Sequence, residues 1–302
     1  MGNQVKKMLS FKKNPDSKKS KKEVPKKEPQ FYRSVTGDKV RNYHVYYMKP
    51  LEKLAYAVLA FVAGAAVAYL FYGGIGKDEF GAPTTLTYII NTVVMLLCGS
   101  IAVKLFIPIR TQQLRDNMQR KLKMQFRDML EAMVTAFGAG KNVTDAFAAV
   151  YVDMRNQYEE NAFIVKELGF INSGIVNGFT IEELLLDLGK RSGCEDIVNF
   201  ADVFDICYRQ GGNIKETVRN TCVIIGDKMS VAEDIETTVS GSKSEQIIML
   251  IMPIALVALI KLSSPEFGEN FATPAGIIAT TIGIAMFIVS YFVGKKLLEI
   301  KI

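Results

Sequence analysis

Four stretches of the chain carry no charged residue: Leu54 to Gly76, Phe80 to Val103, Gln246 to Ile260 and Phe271 to Gly294, with lengths of 23, 24, 15 and 24 residues. A helix needs about 20 apolar residues to cross a bilayer, so three of the four qualify as they stand. The third reaches only about 22 Å at a rise of about 1.5 Å per residue. Lys261 can extend it, because a lysine stem lies along apolar surface while its ammonium reaches the interface. From Ile247 to Ser264 the helix then covers roughly 27 Å. Pro253, near the middle of this span, removes a backbone donor and predicts a kink. Small residues recur at Ala60, Gly64 and Ala68 in the first span and at Ala275, Ala279 and Gly283 in the fourth. That spacing lets another helix approach closely.

Between the second and third spans the rhythm changes. Leu114, Met118, Leu122, Phe126, Met129, Met133 and Phe137 recur every three or four positions, which marks one face of a helix. Ile214, Val218, Cys222, Ile225, Met229, Ala232, Ile235 and Val239 repeat the pattern at the far end. Shorter stripes lie at Ile181, Leu184, Leu185 and Leu188, and at Ile197, Phe200, Phe204 and Tyr208. No stretch here alternates like a strand, so the segment reads as a bundle of about six helices. The fold class is therefore all-α: a polytopic membrane protein with four transmembrane helices and a helical bundle.

Three turns inside this segment share one motif. A glycine (Gly140, Gly178, Gly211) is followed two positions on by Asn or Thr (Asn142, Thr180, Asn213) and three further on by an acid (Asp145, Glu183, Glu216). Glycine tolerates the left-handed backbone that ends a helix, Asn or Thr caps the next one, and the acid stands where a capping-box partner reaches back. The pattern predicts three tight helix-to-helix corners and carries no catalytic signal.

Charge then orients the chain. Fifteen Lys and Arg residues flank the spans on one side, from Lys39 through Arg110 and Lys228 to Lys301, against only Lys77 and Lys261 in the two short connections. Basic residues stay in the cytoplasm. Both termini and residues 105–245 are thus expected inside, with Lys77 to Glu79 and Lys261 to Asn270 outside. Residues 1–53 hold 15 Lys and Arg against 5 Asp and Glu, too few apolar groups to fold. The expected division is a basic unfolded tail at 1–50, two spans at 51–109, the helical domain at 110–245, and two spans with a short basic end at 246–302. Anionic lipid is the tail's expected partner, ahead of nucleic acid.

Composition excludes much chemistry. The chain has one His, no Trp and four Cys, which leaves no His-rich metal site, no disulfide framework and no expected cofactor. No span carries an ionisable residue at its centre; Asn91, Thr280 and Ser290 are the most polar groups there, which disfavours an ion or proton pathway. Gly138-Ala-Gly-Lys141 looks like the end of a phosphate-binding loop, but Thr135 and Asn142 stand where that motif needs Gly and Ser or Thr. Cys194, Cys207 and Cys222 have no CxxC spacing and read as free thiols.

Two spans, a glycine-cornered helical domain, two more spans and a short basic end together resemble the F-domain platform proteins of type II secretion and type IV pilus machines. The tight-adherence (Tad) pilus branch, B-type, is the most similar. The residues that carry this are Leu130-Glu-Ala-Met-Val-Thr-Ala-Phe-Gly-Ala-Gly-Lys-Asn-Val-Thr-Asp-Ala-Phe147, Leu188-Gly-Lys-Arg-Ser192, Tyr208-Arg-Gln-Gly-Gly-Asn-Ile-Lys-Glu216, Pro253, and Gly294-Lys-Lys-Leu-Leu-Glu-Ile-Lys-Ile302. The resemblance covers residues 50–302 and one F-type domain rather than a tandem pair. It implies a non-enzymatic protein of the bacterial inner membrane. The implied partners are a hexameric secretion-type ATPase, a sister F-domain platform protein and pilin subunits, in a homo- or hetero-oligomer. Possible contact residues are the corner groups Gly140, Asn142, Asp145, Gly178, Thr180, Glu183, Gly211, Gly212, Asn213 and Glu216, with Lys190, Arg191 and Arg209 as exposed charges. The alternative class is a channel or lipid-handling membrane protein with a regulatory helical domain. An enzyme such as a membrane transferase comes third, for want of clustered His, Asp or Cys at a membrane edge.

Overall fold

A computed structural model describes residues 28–76, 84–264 and 270–298, with the side chains of 236, 243 and 295–298 set aside. The outer connection at Lys77 to Glu79, the tail before residue 28, residues 265–269 and the end beyond 298 lie outside the described residues. Among the described residues eight helices dominate: α1 (Pro50–Tyr72), α2 (Thr85–Gly138), α3 (Val143–Gln157), α4 (Phe163–Val176), α5 (Ile181–Ser192), α6 (Glu195–Arg209), α7 (Ile214–Ser263) and α8 (Pro274–Leu298). Four of them, α1, α2, α7 and α8, are long and apolar enough to cross a membrane. The protein is an all-α polytopic membrane protein.

α1 and α2 pack most closely. A Cβ placed on Gly64 would come within 2.7 Å of the Ala102 Cβ, and one on Gly99 within 2.6 Å of the Phe61 ring. Ala60 and Ala68 are buried beside them, so the first small-residue stripe is the α1–α2 contact. The second stripe differs. Ala275, Ala279 and Gly283 of α8 are exposed, and a Cβ on Gly283 would meet nothing within 4 Å among the described residues. α8 instead touches the chain through the Tyr72 hydroxyl, 3.0 Å from the Thr281 Oγ1, and through Gln246, whose Nε2 donates to the Tyr291 carbonyl at 3.4 Å. Pro253 lies inside α7, and Pro108 inside α2.

α2 and α7 run through the boundary between span and bundle without a break. α2 has 54 residues and α7 has 50, about 81 and 75 Å at the helical rise. Between them α3 to α6 run up and down. The register is read from cross-contacts: Tyr158 of the α3 end meets Asp128, Glu167 meets Arg191, Gly174 faces Leu184, and Cys207 meets Thr217. Each pair joins antiparallel neighbours. Phe126, Phe147, Phe200 and Phe204 form the aromatic centre of the core, with Phe126 and Phe200 rings 5.4 Å apart edge to face. The stripe on α7 is fully buried only at Val218 and Ile225. Ala232, Ile235 and Val239 are only half-buried, because α7 has left the bundle there.

The N-terminal segment departs from the sequence reading. Residues 28–49, assigned to the unfolded tail on their charge, include an antiparallel hairpin of β1 (Phe31–Arg33) and β2 (Lys39–Arg41), and the stretch after it docks on the bundle. Asn42 and Tyr43 are fully buried. The Tyr43 N–H donates to the Arg191 carbonyl at 2.8 Å, and the Gln119 side chain donates to the Tyr43 carbonyl at 3.0 Å. Charge counting over 53 residues hid a short Tyr- and Val-containing piece whose folding depends on a distant surface.

Candidate functional site

The connections alternate between two ends of the bundle. α2 descends from the bilayer, so the α2–α3, α4–α5 and α6–α7 corners lie at the end far from it. The α3–α4 and α5–α6 turns and the N-terminal segment lie at the near end. All three Gly-Asn/Thr-acid motifs therefore share one far surface, which no periodicity in the sequence reveals.

Their local chemistry matches the motif. Gly140, Gly178 and Gly211 have φ of 80°, 87° and 72°. At each corner the next N–H reaches back five residues: Lys141 to the Ala136 carbonyl, Phe179 to Gly174 and Gly212 to Cys207, at 3.2, 3.0 and 2.7 Å. That is the Schellman closure of a helix end. Asn142, Thr180 and Asn213 then cap α3, α5 and α7, accepting from the N–H of Asp145, Glu183 and Glu216 at 2.8, 3.4 and 3.2 Å. The acids add charge at a helix start. The Glu216 carboxylate accepts from the Asn213 side-chain amide at 3.1 Å, not from the capping backbone. Gly138 to Lys141 is the end of α2 and its turn, so the phosphate-loop look-alike has helix where that loop needs strand.

The far surface is mostly polar, with exposed apolar groups at Val176, Ile206 and Tyr208. Lys141, Asp145, Glu183, Arg209 and Glu216 are exposed, and Arg209 pairs with Asp205 one turn earlier at 2.7 Å. Val176, beside the Gly178 corner, is 87% exposed. A protruding valine among mixed charges suits protein contact better than catalysis.

Lys190 and Arg191 are not part of it. They end α5 at the near end of the bundle. Lys190 is exposed, and its carbonyl lies 2.9 Å from the His44 Nε2. Arg191 is only 5% exposed, which corrects its assignment as an exposed contact charge. Its guanidinium donates to both Glu167 oxygens at 3.1 and 2.9 Å, to Asp187 at 2.8 Å and to the Arg41 carbonyl at 3.0 Å. The Tyr43 hydroxyl closes the cluster on Glu167 at 2.8 Å. Burial first, and the Glu167 carboxylate second, hold the Tyr43 phenol well above its usual range. A signal for this pair was available. Arg191 falls three residues after Leu188, and Glu167 three after Ile164, each in phase with its buried stripe. Opposite charges in phase with two facing stripes mark a buried ion pair.

A groove of about 620 Å³ runs between α2 and α7 and is lined by Arg127, Glu131, Arg219, Asp227 and Glu233 with Cys222. Two cations there stand against three acids. Burial, then Glu131, raises the Cys222 thiol, which keeps it a poor nucleophile. Within the membrane, Asn91 accepts from the Gly74 N–H at 3.4 Å, and Thr280 donates to the Gly276 carbonyl at 2.8 Å, so both polar groups are turned to backbone. Comparison with protein-family models, with curated proteins and with solved structures finds no match, and the functional reading rests on the residues themselves.

Proposed function

We propose that this protein is a non-enzymatic platform of a Tad-type pilus or type II secretion-like machine in a bacterial inner membrane, with both termini and the bundle in the cytoplasm. One observation carries the reading: α2 and α7 join the bundle to the bilayer as continuous helices, while three capped corners gather at the far end. A push or twist applied to that end reaches the membrane through two rods with no loop between to absorb it. A hexameric ATPase working from the cytoplasm meets the far end first. In this reading Asp145, Glu183, Arg209, Glu216 and the protruding Val176 form the contact for the ATPase or a sister platform protein, and the spans face pilin subunits.

Mild crosslinking in native membranes, followed by solubilisation and mass spectrometry, tests this. The reading expects an ATPase and a second F-domain protein linked through the far corners. Recovery of the chain with itself alone, under conditions that preserve other membrane complexes, refutes it.

A further inference from the structure

The helices that start at the far corners carry acids in their first turns: Asp145 on α3, Glu182 and Glu183 on α5, and Glu216 on α7. Asp145, Glu183 and Glu216 are exposed, as charged side chains usually are. Glu182 differs, being 7% exposed, with a buried Oε2 that meets no donor among the described residues. The start of α5 favours a negative charge, but a buried carboxylate without a hydrogen-bonded partner still destabilises the fold that holds it.

The position of Glu182 follows from the α5–α6 hairpin, in which Gly193 and Cys194 alone separate the two helices. A Cβ on Gly189 would lie 3.3 Å from the Val198 Cα and 3.4 Å from the Ala201 Cβ, which fixes the register. Glu182 stands seven residues before Gly189, two turns along the same face of α5. Asp205 and Tyr208 stand seven residues beyond Val198 and Ala201 on α6. Glu182 is therefore turned into the α5–α6 seam, level with Asp205 and close to the far end. Arg209, which ends α6, is drawn to Asp205 instead, its Nε 2.7 Å from Oδ1. The seam thus holds two carboxylates and one guanidinium.

The missing group is a cation. An anionic seam repels phosphate, which sets aside lipid headgroups and nucleic acid. Among the described residues no three His, Cys, Asp or Glu side chains gather into a metal site. Apolar groups border the seam on α6: Ile206 and Tyr208 are exposed, and the Tyr208 ring is held by stacking on Phe204 at 5.7 Å. Arginine matches this set, because its planar fork takes a carboxylate and lies on an aromatic face while its stem covers apolar surface.

We propose that the α5–α6 seam is the socket for an arginine of the protein that docks on the far end, with Glu182 as its acceptor and Tyr208 as the ring beside it. The inference rests on the far end being a protein-contact surface, and it names the side chain that this contact selects. A partner without the arginine covers Glu182 and leaves its charge unpaired, so the socket discriminates between partners.

The test places the photocrosslinker p-benzoylphenylalanine at Val176 of the full chain. Val176 ends α4 level with Glu182, since Gly174 faces Leu184. Photolysis of native membranes and mass spectrometry of the linked peptides identify the docked protein and the arginine nearest the link. Glu182→Gln is expected to cut the crosslinked yield about tenfold or more, and its exposed neighbour Glu183→Gln less than about twofold. Replacing that arginine by Gln should cost as much, and combining it with Glu182→Gln should cost no more than either change alone. In detergent, the free chain with Glu182→Leu should melt above the parent, because an unpaired charge leaves a buried position. Unchanged or lower melting in Glu182→Leu overturns the proposal, since the chain itself then satisfies Glu182. Parent melting raised by millimolar calcium chloride, with no rise in Glu182→Leu, overturns it by assigning the seam to a metal ion. Equal crosslinking in Glu182→Gln and the parent overturns the proposal alone, whereas no crosslinked protein at Val176 overturns the far-end contact with it.

Discussion

Replacing Arg191 with Met keeps most of the side-chain volume but removes the only cation hydrogen-bonded to Glu167 among the described residues. Glu167 is 1% exposed, so its carboxylate is stranded in the core with the Tyr43 hydroxyl as its remaining donor. Asp187 loses its 2.8 Å contact, and the Arg41 carbonyl loses one of the donors that tie the N-terminal segment to α5. Breaking a buried pair by removing one partner costs about 3–5 kcal/mol. In a domain of this size each kcal/mol moves the melting temperature by roughly 3 °C, so Arg191→Met is expected to melt about 10–15 °C below the parent. The assay is circular dichroism at pH 7.5 in detergent, together with tryptic cleavage after Lys39 and Arg41. The Tyr43 phenol stays protonated there, since its folded pKa lies above the unfolded value near 10. Its contribution is complete below about pH 10 and is lost as pH rises through the folded value. Faster cleavage at Lys39 and Arg41 should accompany the lower melting temperature. The double variant Glu167→Leu with Arg191→Met removes the stranded charge and should recover most of the loss. Unchanged melting and cleavage in Arg191→Met would refute the reasoning, as would a double variant no better than the single.

Two further expectations follow from local geometry. Gly178→Ala meets no atom within 4 Å, yet φ is +87°, so it should cost about 1–2 kcal/mol from backbone strain alone; Asn142→Ala should cost about 1 kcal/mol through loss of the α3 cap. Denaturant titration of each variant checks both, and a neutral Gly178→Ala would show that the corner is not held in the left-handed region. Burial pushes the Cys194 thiol up to about 11 from its usual 9.0, so at pH 8 its thiolate population should be about 100-fold below that of an ordinary thiol. Mass-tag alkylation in native membranes should leave Cys194 unlabelled at pH 8 and label it faster as pH rises toward 11, and rapid labelling at pH 8 would contradict the burial.

The four spans, the six-helix bundle and the chemistry of the three corners are written in local pattern. Bilayer thickness sets the length of an apolar run, the helical period sets the stripe, and a left-handed turn followed by a cap needs Gly and then Asn or Thr whatever lies nearby. Other features depended on partners remote in sequence. Arg191 reads as one of two adjacent surface charges until Glu167, 24 residues away, and Arg41, 150 residues away, are placed beside it. The segment from residue 28 to 49 carries little apolar surface of its own and is held against α2, α4 and α5. Local propensity and periodicity are properties of neighbours along the chain, and they determined the helices, their ends and the membrane crossings. Burial of a charge and docking of a short strand pair need surfaces from distant parts of the chain, and these only the packing of the helices decided.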